Sequence, residues 1–180
     1  MTTTLEQSQA LFIRRWGTMG SSWGISRTMA EIHALLYISD RPLCTDDVMQ
    51  MLQVSRGNAS MNLRQLLNWG LVRRIHTLGD RKDYFAAETD VWQMFQTIIR
   101  ERRRREVEPI LETIDRCRQM VAQDLRGARG AERAAIETYH QRLNELHGFL
   151  DMMNALLNGV LDVGSGGVKR ALTALHKLRG

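Results

Sequence analysis

Two short predicted helices joined by a tight turn constrain this sequence more than any other feature. Thr45 can cap a helix that ends near Leu52. Three residues later, Ser55 can cap a second helix, which runs to about Trp69 and stops at Gly70, a residue typical of helix ends. The segment therefore predicts a compact corner of two helices.

The second of these helices has one apolar side and one mostly polar side. At about 100° per residue, Leu63 and Leu66 lie within about 40° of Ala59, and the three residues predict the buried face. The opposite side offers hydrogen-bond donors and acceptors with little bulk and consists of Gly57, Met61, Arg64, Gln65 and Asn68. This composition suits a helix that another molecule approaches closely.

A basic β-hairpin is predicted directly after the second helix. The runs 71–76 and 83–87 flank a turn that contains Gly79 and Asp80, as in a hairpin. Residues 53–82 carry six cations against the single acid Asp80, and their net charge of +5 equals that of the whole 180-residue chain. Charge concentrated in this way indicates a nucleic-acid partner more strongly than the total does.

Helices are also predicted on both sides of this segment. One covers 5–22, and another, capped by Ser26, runs to about residue 39. Helix dominates again from Val91 onward. Pro109 should bend or interrupt it, because proline removes a hydrogen bond to the carbonyl of Arg105.

The last long helix, predicted after a break at Gly127 and Gly130, carries an apolar seam. Spacings of three and four residues continue over just more than three heptads, as in a coiled coil, through Ile136, Tyr139, Leu143, Leu146, Leu150, Met153, Leu157 and Val160. A two-fold dimer is the commonest way to bury such a surface. The sequence therefore predicts a homodimer.

Helix, tight turn, helix and basic hairpin follow one another as in a winged helix-turn-helix, whose second helix enters the DNA major groove. We predict a mainly α fold with a small β-hairpin wing and long dimerisation helices. The DNA-binding domain with its N-terminal helix covers 1–90, the helical dimerisation region 91–163, and a flexible link with a short basic tail 164–180. The predicted DNA-binding residues are Ser55, Arg56, Gly57, Asn58, Ser60, Met61, Arg64, Gln65, Arg73, Arg74, Asp80, Arg81 and Lys82.

The second helix and its flanks read VSRGNASMNLRQLLNWGLV over 54–72, and the hairpin turn reads GDRKDYF over 79–85. These segments resemble the MarR-type winged-helix regulators, above all their GbsR-like branch. Residues 16–20 and 105–111 also fit that branch. The resemblance implies a regulator that is more often a repressor than an activator. It also implies that Asp80 orients a neighbouring arginine and that Arg81 enters the minor groove.

A stripe of large apolar side chains marks the first predicted helix and consists of Phe12, Trp16, Met19 and Trp23. Such a stripe is most often core or dimer interface, and Gly17 and Gly20 beside it allow another element to approach closely. The other interpretation is an effector site, in which tryptophans form a cation–π cage for a quaternary ammonium compound. The resemblance to the GbsR-like branch, where choline-type effectors occur, adds weight to this second interpretation, while core or dimer interface stays the preferred one.

The sequence does not indicate an enzyme, a cofactor or a metal. Its five histidines are scattered, and the Glu137 and His140 pair supplies too few ligands for a metal. Cys44 and Cys117 lack C-x-x-C spacing and predict buried thiols. We expect a cytoplasmic protein without a membrane partner, because the N-terminus lacks signal-peptide order and no apolar run reaches about 18 residues.

Five arginines between residues 100 and 105 surround a helix on most sides and predict a solvated segment with local ion pairs. Two functions remain open. The first is a homodimeric, sequence-specific regulator of transcription that binds double-stranded DNA and responds to a small-molecule effector. The alternative is a helical protein–protein adaptor, which uses the seam for a different partner and the basic segment for acidic protein surfaces.

Overall fold

A computed structural model of the chain describes residues 3–76 and 79–178. Beyond residue 159, it gives the burial of residues 161, 164 and 167 only. Thr77 and Leu78 of the predicted turn, the side chain of Val160 in the predicted seam, and the side chains of the basic tail lie outside the described residues. Within the described part of the chain, no helix is both long and apolar enough to cross a membrane.

The chain forms two compact units, Met1–Ile98 and Ile99–Gly180. The elements of the first unit are α1 (Thr4–Ser22), α2 (Arg27–Ile38), β1 (Leu43–Cys44), α3 (Thr45–Leu52), α4 (Arg56–Asn68), β2 (Val72–His76) and β3 (Asp83–Ala87). Helix α5 (Val91–Arg102) continues past the boundary. The second unit holds a π-helical turn (Arg103–Val107), α6 (Glu108–Asp124) and α7 (Gly130–Leu178).

The helix boundaries follow local capping chemistry. The hydroxyls of Ser26 and Ser55 accept hydrogen bonds from backbone N–H groups at the starts of α2 and α4, which confirms both predicted caps. The predicted cap of α3 is wrong by one residue. Its N-cap is Cys44, whose backbone N–H donates to the Asp47 carboxylate at 2.8 Å. That bond satisfies the backbone N–H of the N-cap residue from the first turn of the helix and lowers the pKa of Asp47.

The core of the first unit holds α4 in place through its predicted buried face. Ala59, Leu63 and Leu66 are at most 1% exposed, which confirms that prediction. They belong to one apolar cluster with Ile32 of α2 and Val48 of α3. Burying a leucine side chain contributes about 1.5–3 kcal/mol, so this cluster fixes which side of α4 faces outward.

The three-stranded antiparallel sheet has the order β1-β3-β2. The predicted hairpin is confirmed as β2 and β3, with Val72 opposite Ala87 and Ile75 opposite Tyr84. Strand β1 was not predicted, because two residues carry no readable alternation. It pairs Leu43 with Phe85 and so attaches the hairpin to the segment that leads into α3.

Two buried glycines let α1 lie close to α2. A Cβ built on Gly20 would come within 2.5 Å of the Ala30 Cβ, and one built on Gly17 would come within 2.5 Å of Glu31 Cγ. The expectation that these glycines admit a close neighbour is confirmed, and that neighbour is α2.

The second unit begins with the interruption predicted from Pro109. The chain forms one π-helical turn over Arg103–Val107, and Pro109 occupies the first turn of α6. Proline cannot donate to the carbonyl four residues earlier, which explains why the regular ladder fails here. The arginine run makes the expected local pairs, for example Arg104 with Glu101 at 2.7 Å and Arg102 with Glu106 at 3.2 Å.

The predicted seam residues lie on two sides of α7 rather than on one. Ile136, Leu143, Leu150 and Leu157 are half-buried, whereas Tyr139, Leu146 and Met153 are exposed. The half-buried side is the one that contacts α6, since Asn144 and His147 bind α6 residues there. The exposed apolar residues form a different row at spacings of three and four, here called the outer stripe: Leu146, Phe149, Met153 and Leu156.

The predicted flexible link at Gly164–Gly167 differs from the structure. Gly164 alone is non-helical there, with φ 66° and ψ 174°, and the backbone is helical on both sides of it. The positive φ is one that glycine adopts readily, so Gly164 produces a kink rather than a linker.

Candidate nucleic-acid interface

The outward side of α4 is composed as the sequence predicts. Gly57, Met61, Arg64 and Gln65 are exposed, and a Cβ added at Gly57 would meet no atom within 4 Å. The Arg64 guanidinium donates through Nε to the carbonyl of Ser60 at 3.3 Å, so it lies along the helix surface. This side of α4 therefore presents donors and acceptors over a backbone that can be approached closely.

Asn62 on α4 was not predicted as a functional residue from the sequence. Asn62 is fully buried, and its Nδ2 donates to the carbonyl and to the Oδ1 of Asn58 at 2.8 and 2.6 Å. It thereby fixes the side chain of Asn58, a predicted DNA-binding residue. A polar residue three positions after Ala59 and next to Leu63 was the available signal, because it falls among the buried positions.

Asp80 shapes the wing turn. Its carboxylate accepts from the backbone N–H of Lys82 at 2.9 Å and from the Tyr84 hydroxyl at 2.7 Å. These bonds, the Lys82 amide first, lower the pKa of Asp80, and the carboxylate raises the pKa of Tyr84. The expectation was that Asp80 orients a neighbouring arginine. In the structure these bonds fix the backbone of the turn from which the exposed Arg81 extends.

The strands of the wing carry paired and unpaired cations. Both Arg73 and Arg74 are exposed on β2. Arg74 lies 3.3 Å from the Asp83 carboxylate on β3. Among the described residues, neither Arg73 nor Arg81 lies within 4.0 Å of a carboxylate as an ion pair, so these two arginines present their charge outward.

Asp46 connects three elements of the site. Its carboxylate, in the first turn of α3, accepts a hydrogen bond from Arg56 at the start of α4 and lies 3.2 Å from the Lys82 ammonium of the wing. Lys82 and then Arg56 lower the pKa of Asp46, and Asp46 raises the pKa of Lys82. The charge count over 53–82 missed this acid and Asp83, since both lie outside that window.

Helix α4 and the hairpin enclose a cleft of about 270 Å³. Arg64 and Arg74 line it, together with the hydroxyl-bearing Thr45 and Ser60. Guanidinium and hydroxyl groups bind phosphate oxygens readily. The cleft therefore brings together Arg64 of the helix and Arg74 of the wing, and it also holds the Asp83 carboxylate that pairs with Arg74.

The apolar stripe of α1 is divided between packing and exposure. Tilted ring contacts run from Phe12 to Trp16 at 5.5 Å, from Trp16 to His33 at 6.2 Å and from His33 to Tyr37 at 6.4 Å between centroids. Trp16 packs against the core, whereas Met19 and Trp23 are exposed. The structure thus places Trp16 and Trp23 in different surroundings.

The predicted Glu-x-x-His pair has other partners. Glu137 accepts from Arg133 at 2.8 Å, and His140 contacts the Asn144 amide at 3.2 Å. Cys44 is buried as predicted, whereas Cys117 is only half-buried. In the part of the chain that the structure describes, no three histidine, cysteine or acidic side chains gather in a way that would hold a metal ion.

Comparison with known proteins points to one family. The family model described as MarR family matches residues 23–83. The chain is 24% identical over 96 residues to "Putative HTH-type transcriptional regulator YvaV" and 25% identical over 111 residues to "HTH-type transcriptional repressor GbsR", both of Bacillus subtilis (strain 168). These alignments cover 53% and 62% of this chain, and 54% and 61% of the relatives' own lengths.

A solved structure described as a transcriptional regulator shares the fold, with a TM-score of 0.59 and 22% identity. The match covers 86% of this chain and 96% of that chain. The family match spans α2, β1, α3, α4, β2 and the first residue of β3. These include the elements that build the site described above. Residues 23–83 of this chain therefore form a winged helix-turn-helix that matches the MarR family model.

Proposed function

We propose that the chain is a homodimeric, sequence-specific DNA-binding regulator of transcription, and a repressor rather than an activator. The observation that carries the proposal is the outward side of α4, which lies beside a basic wing within a MarR-type domain. The repressor role is supported by the similarity to GbsR. No catalytic step belongs to this proposal.

In the proposed complex, α4 lies in the major groove. Arg64 and Gln65 reach base edges, since arginine pairs with guanine and glutamine with adenine there. Ser60, Arg73 and Arg74 contact phosphates, and Arg81 enters the minor groove from the wing. Asn58, held by Asn62, adds an amide whose orientation is fixed before DNA arrives.

Dimerisation places two such domains on one duplex. We assign the dimer contact to the outer stripe, because these four apolar side chains are between 38% and 59% exposed in the single chain. Exposed apolar residues in a continuous row mark an interaction surface. A two-fold dimer would read two half-sites about one helical turn, roughly 34 Å, apart.

Selection of bound sequences from a pool of random duplexes tests the function. A regulator of the proposed kind enriches a two-fold symmetric site, and its affinity falls steeply with salt. An adaptor that uses the same basic surface for acidic proteins enriches no sequence. Absence of enrichment by a folded dimer would reject the proposal in favour of the adaptor.

We keep a small-molecule effector in the proposal, with its direct contacts at Met19 and Trp23 rather than along the whole apolar stripe of α1. A cation–π cage requires aromatic rings within about 6 Å of one cation. Trp16 already contacts the rings of Phe12 and His33, whereas Met19 and Trp23 are exposed and are the stripe residues that a ligand reaches directly. Calorimetric titration with choline and with glycine betaine, on wild type and on Trp23→Ala and Trp16→Ala, tests it. Equal binding by all three proteins would exclude the cage.

A further inference from the structure

Arg56 and Lys82, two of the predicted DNA-binding cations, converge on one carboxylate. Arg56 begins α4, Lys82 lies in the wing, and each binds a different oxygen of Asp46. Asp46 itself belongs to α3, so the three side chains come from three elements. A phosphodiester also offers two oxygens to cations, which makes the Asp46 carboxylate a substitute for a phosphate at this place.

Stability does not account for this arrangement. The side chains of Asp46, Arg56 and Lys82 are 46%, 65% and 55% exposed. Ion pairs between such exposed groups contribute about 0–1 kcal/mol to folding, because water and salt screen them. Asp46 has a clearer effect on DNA binding. Each cation that Asp46 neutralises no longer acts on a phosphate, and the salt-dependent part of DNA affinity falls accordingly.

Resting on the proposed function, we propose that Asp46 is an internal counter-anion that weakens phosphate binding at the junction of α4 and the wing and so lowers the sequence-independent part of DNA affinity. Phosphate contacts add affinity for every sequence alike, whereas base contacts add it for one. By competing for Arg56 and Lys82, Asp46 lowers the first kind of affinity and leaves the second to Arg64 and Gln65. The Asp46 carboxylate is ionised at neutral pH, as an ordinary aspartate is, and Lys82 and Arg56 lower its pKa further.

The experiment compares Asp46→Asn with a matched control. Glu137→Gln removes the same charge from another exposed carboxylate that pairs with an arginine, Arg133, but in the second unit. Dissociation constants are measured for both variants and wild type on a selected duplex and on a random-sequence duplex, at several concentrations of potassium chloride. Circular dichroism and unfolding midpoints establish that each protein is folded.

For Asp46→Asn, we expect the plot of log affinity against log salt on random duplex to steepen by about 1 per subunit, because one more cationic charge acts on phosphate. Affinity should rise by a similar factor for the random and for the selected duplex, because both offer the same phosphates. Glu137→Gln should follow wild type. Adding Lys82→Gln to Asp46→Asn should reverse part of the gain, which shows that the gain acts through Lys82.

An unchanged slope in folded Asp46→Asn, or equally weakened binding to both duplexes, would overturn the inference. The second result would make Asp46 a brace that DNA binding needs. If wild type and Glu137→Gln bind neither duplex, the proposed function itself fails and the inference fails with it. The two failures are therefore distinguishable by the wild-type measurements alone.

Discussion

The imidazole of His33 lies against the indole of Trp16, with ring centroids 6.2 Å apart, and joins α2 to α1. His33 is 4% exposed, and its Nε2 has no hydrogen-bond partner among the described residues. Burial lowers the pKa of His33 to about 4, because the charged ring would lose its hydration. The ring is therefore neutral in the folded protein at neutral pH.

This burial predicts an acid-sensitive first unit. The unfolded chain binds a proton at His33 near pH 6.5 and the folded chain only near pH 4, so stability falls as the pH drops between these values. The full loss from this one group is about 3 kcal/mol. Denaturant unfolding at pH 4.5 and pH 7 should show a smaller difference for His33→Leu than for wild type. Parallel pH dependence of the two proteins would contradict the prediction.

The close approach of α1 and α2 predicts different tolerance at two glycines. In Gly20→Ala the new methyl overlaps the Ala30 Cβ, which cannot move without its helix, so we expect a loss of about 1–3 kcal/mol. In Gly17→Ala the new methyl overlaps Glu31 Cγ, so the Glu31 side chain must change rotamer and leave Arg27, and a helix-propensity gain of about 1 kcal/mol makes the net loss smaller than for Gly20→Ala. Urea unfolding midpoints measure both. Equal midpoints for the two variants would show that the helices separate easily.

Local rules predicted the elements of this chain, whereas contacts between distant segments required the structure. Ser26, Ser55 and Gly70 mark helix ends by chemistry that acts within a few residues, and their predictions were confirmed. Strand β1 depends on pairing with β3, some 40 residues away, and has no local signal. The seam of α7 shows the same limit. Heptad spacing identifies apolar positions but does not tell which of them α6 covers.

The candidate site shows the same difference between what local rules predict and what contacts between distant segments decide. The outward side of α4 could be predicted from angular position alone. The charge balance could not, because Asp46 approaches Lys82 only after the chain folds. A net charge summed along the sequence therefore overstates the cationic surface that DNA would meet.

Gly57 permits a test that separates stability from binding. It lies in the first turn of α4 with open space around its Cα, so Gly57→Ala should stabilise the fold by about 0.5–1 kcal/mol through helix propensity. If α4 approaches the DNA backbone at this residue, the added methyl should weaken binding to every duplex. Thermal unfolding and DNA titration on the same variant supply both numbers. A variant that is more stable and binds as wild type would place Gly57 outside the interface.

The outer stripe of α7 predicts which substitutions separate subunits and which unfold them. Phe149 is 54% exposed, so Phe149→Asp should leave the single chain folded and yield monomers. Leu143 is half-buried on the side that contacts α6, so Leu143→Asp should destabilise the second unit, since burial of a charge there is costly. Light scattering gives the mass and circular dichroism the helix content. A dimeric Phe149→Asp protein would move the dimer contact to another surface.

Arg64 and Arg81 should contribute to DNA affinity in different ways. Arg64 lines the cleft beside the outward side of α4, so Arg64→Ala should cost about 1–3 kcal/mol on the selected site and relax preference at one base of each half-site. Arg81 extends from the turn fixed by Asp80, so Arg81→Ala should weaken all duplexes similarly and flatten the salt slope by about 1 per subunit. Titration of each variant against a panel of single-base changes, at low and at high salt, distinguishes these patterns. Unchanged affinity for both variants, as folded dimers, would remove Arg64 and Arg81 from the DNA interface, because each residue would then have lost its charge without consequence.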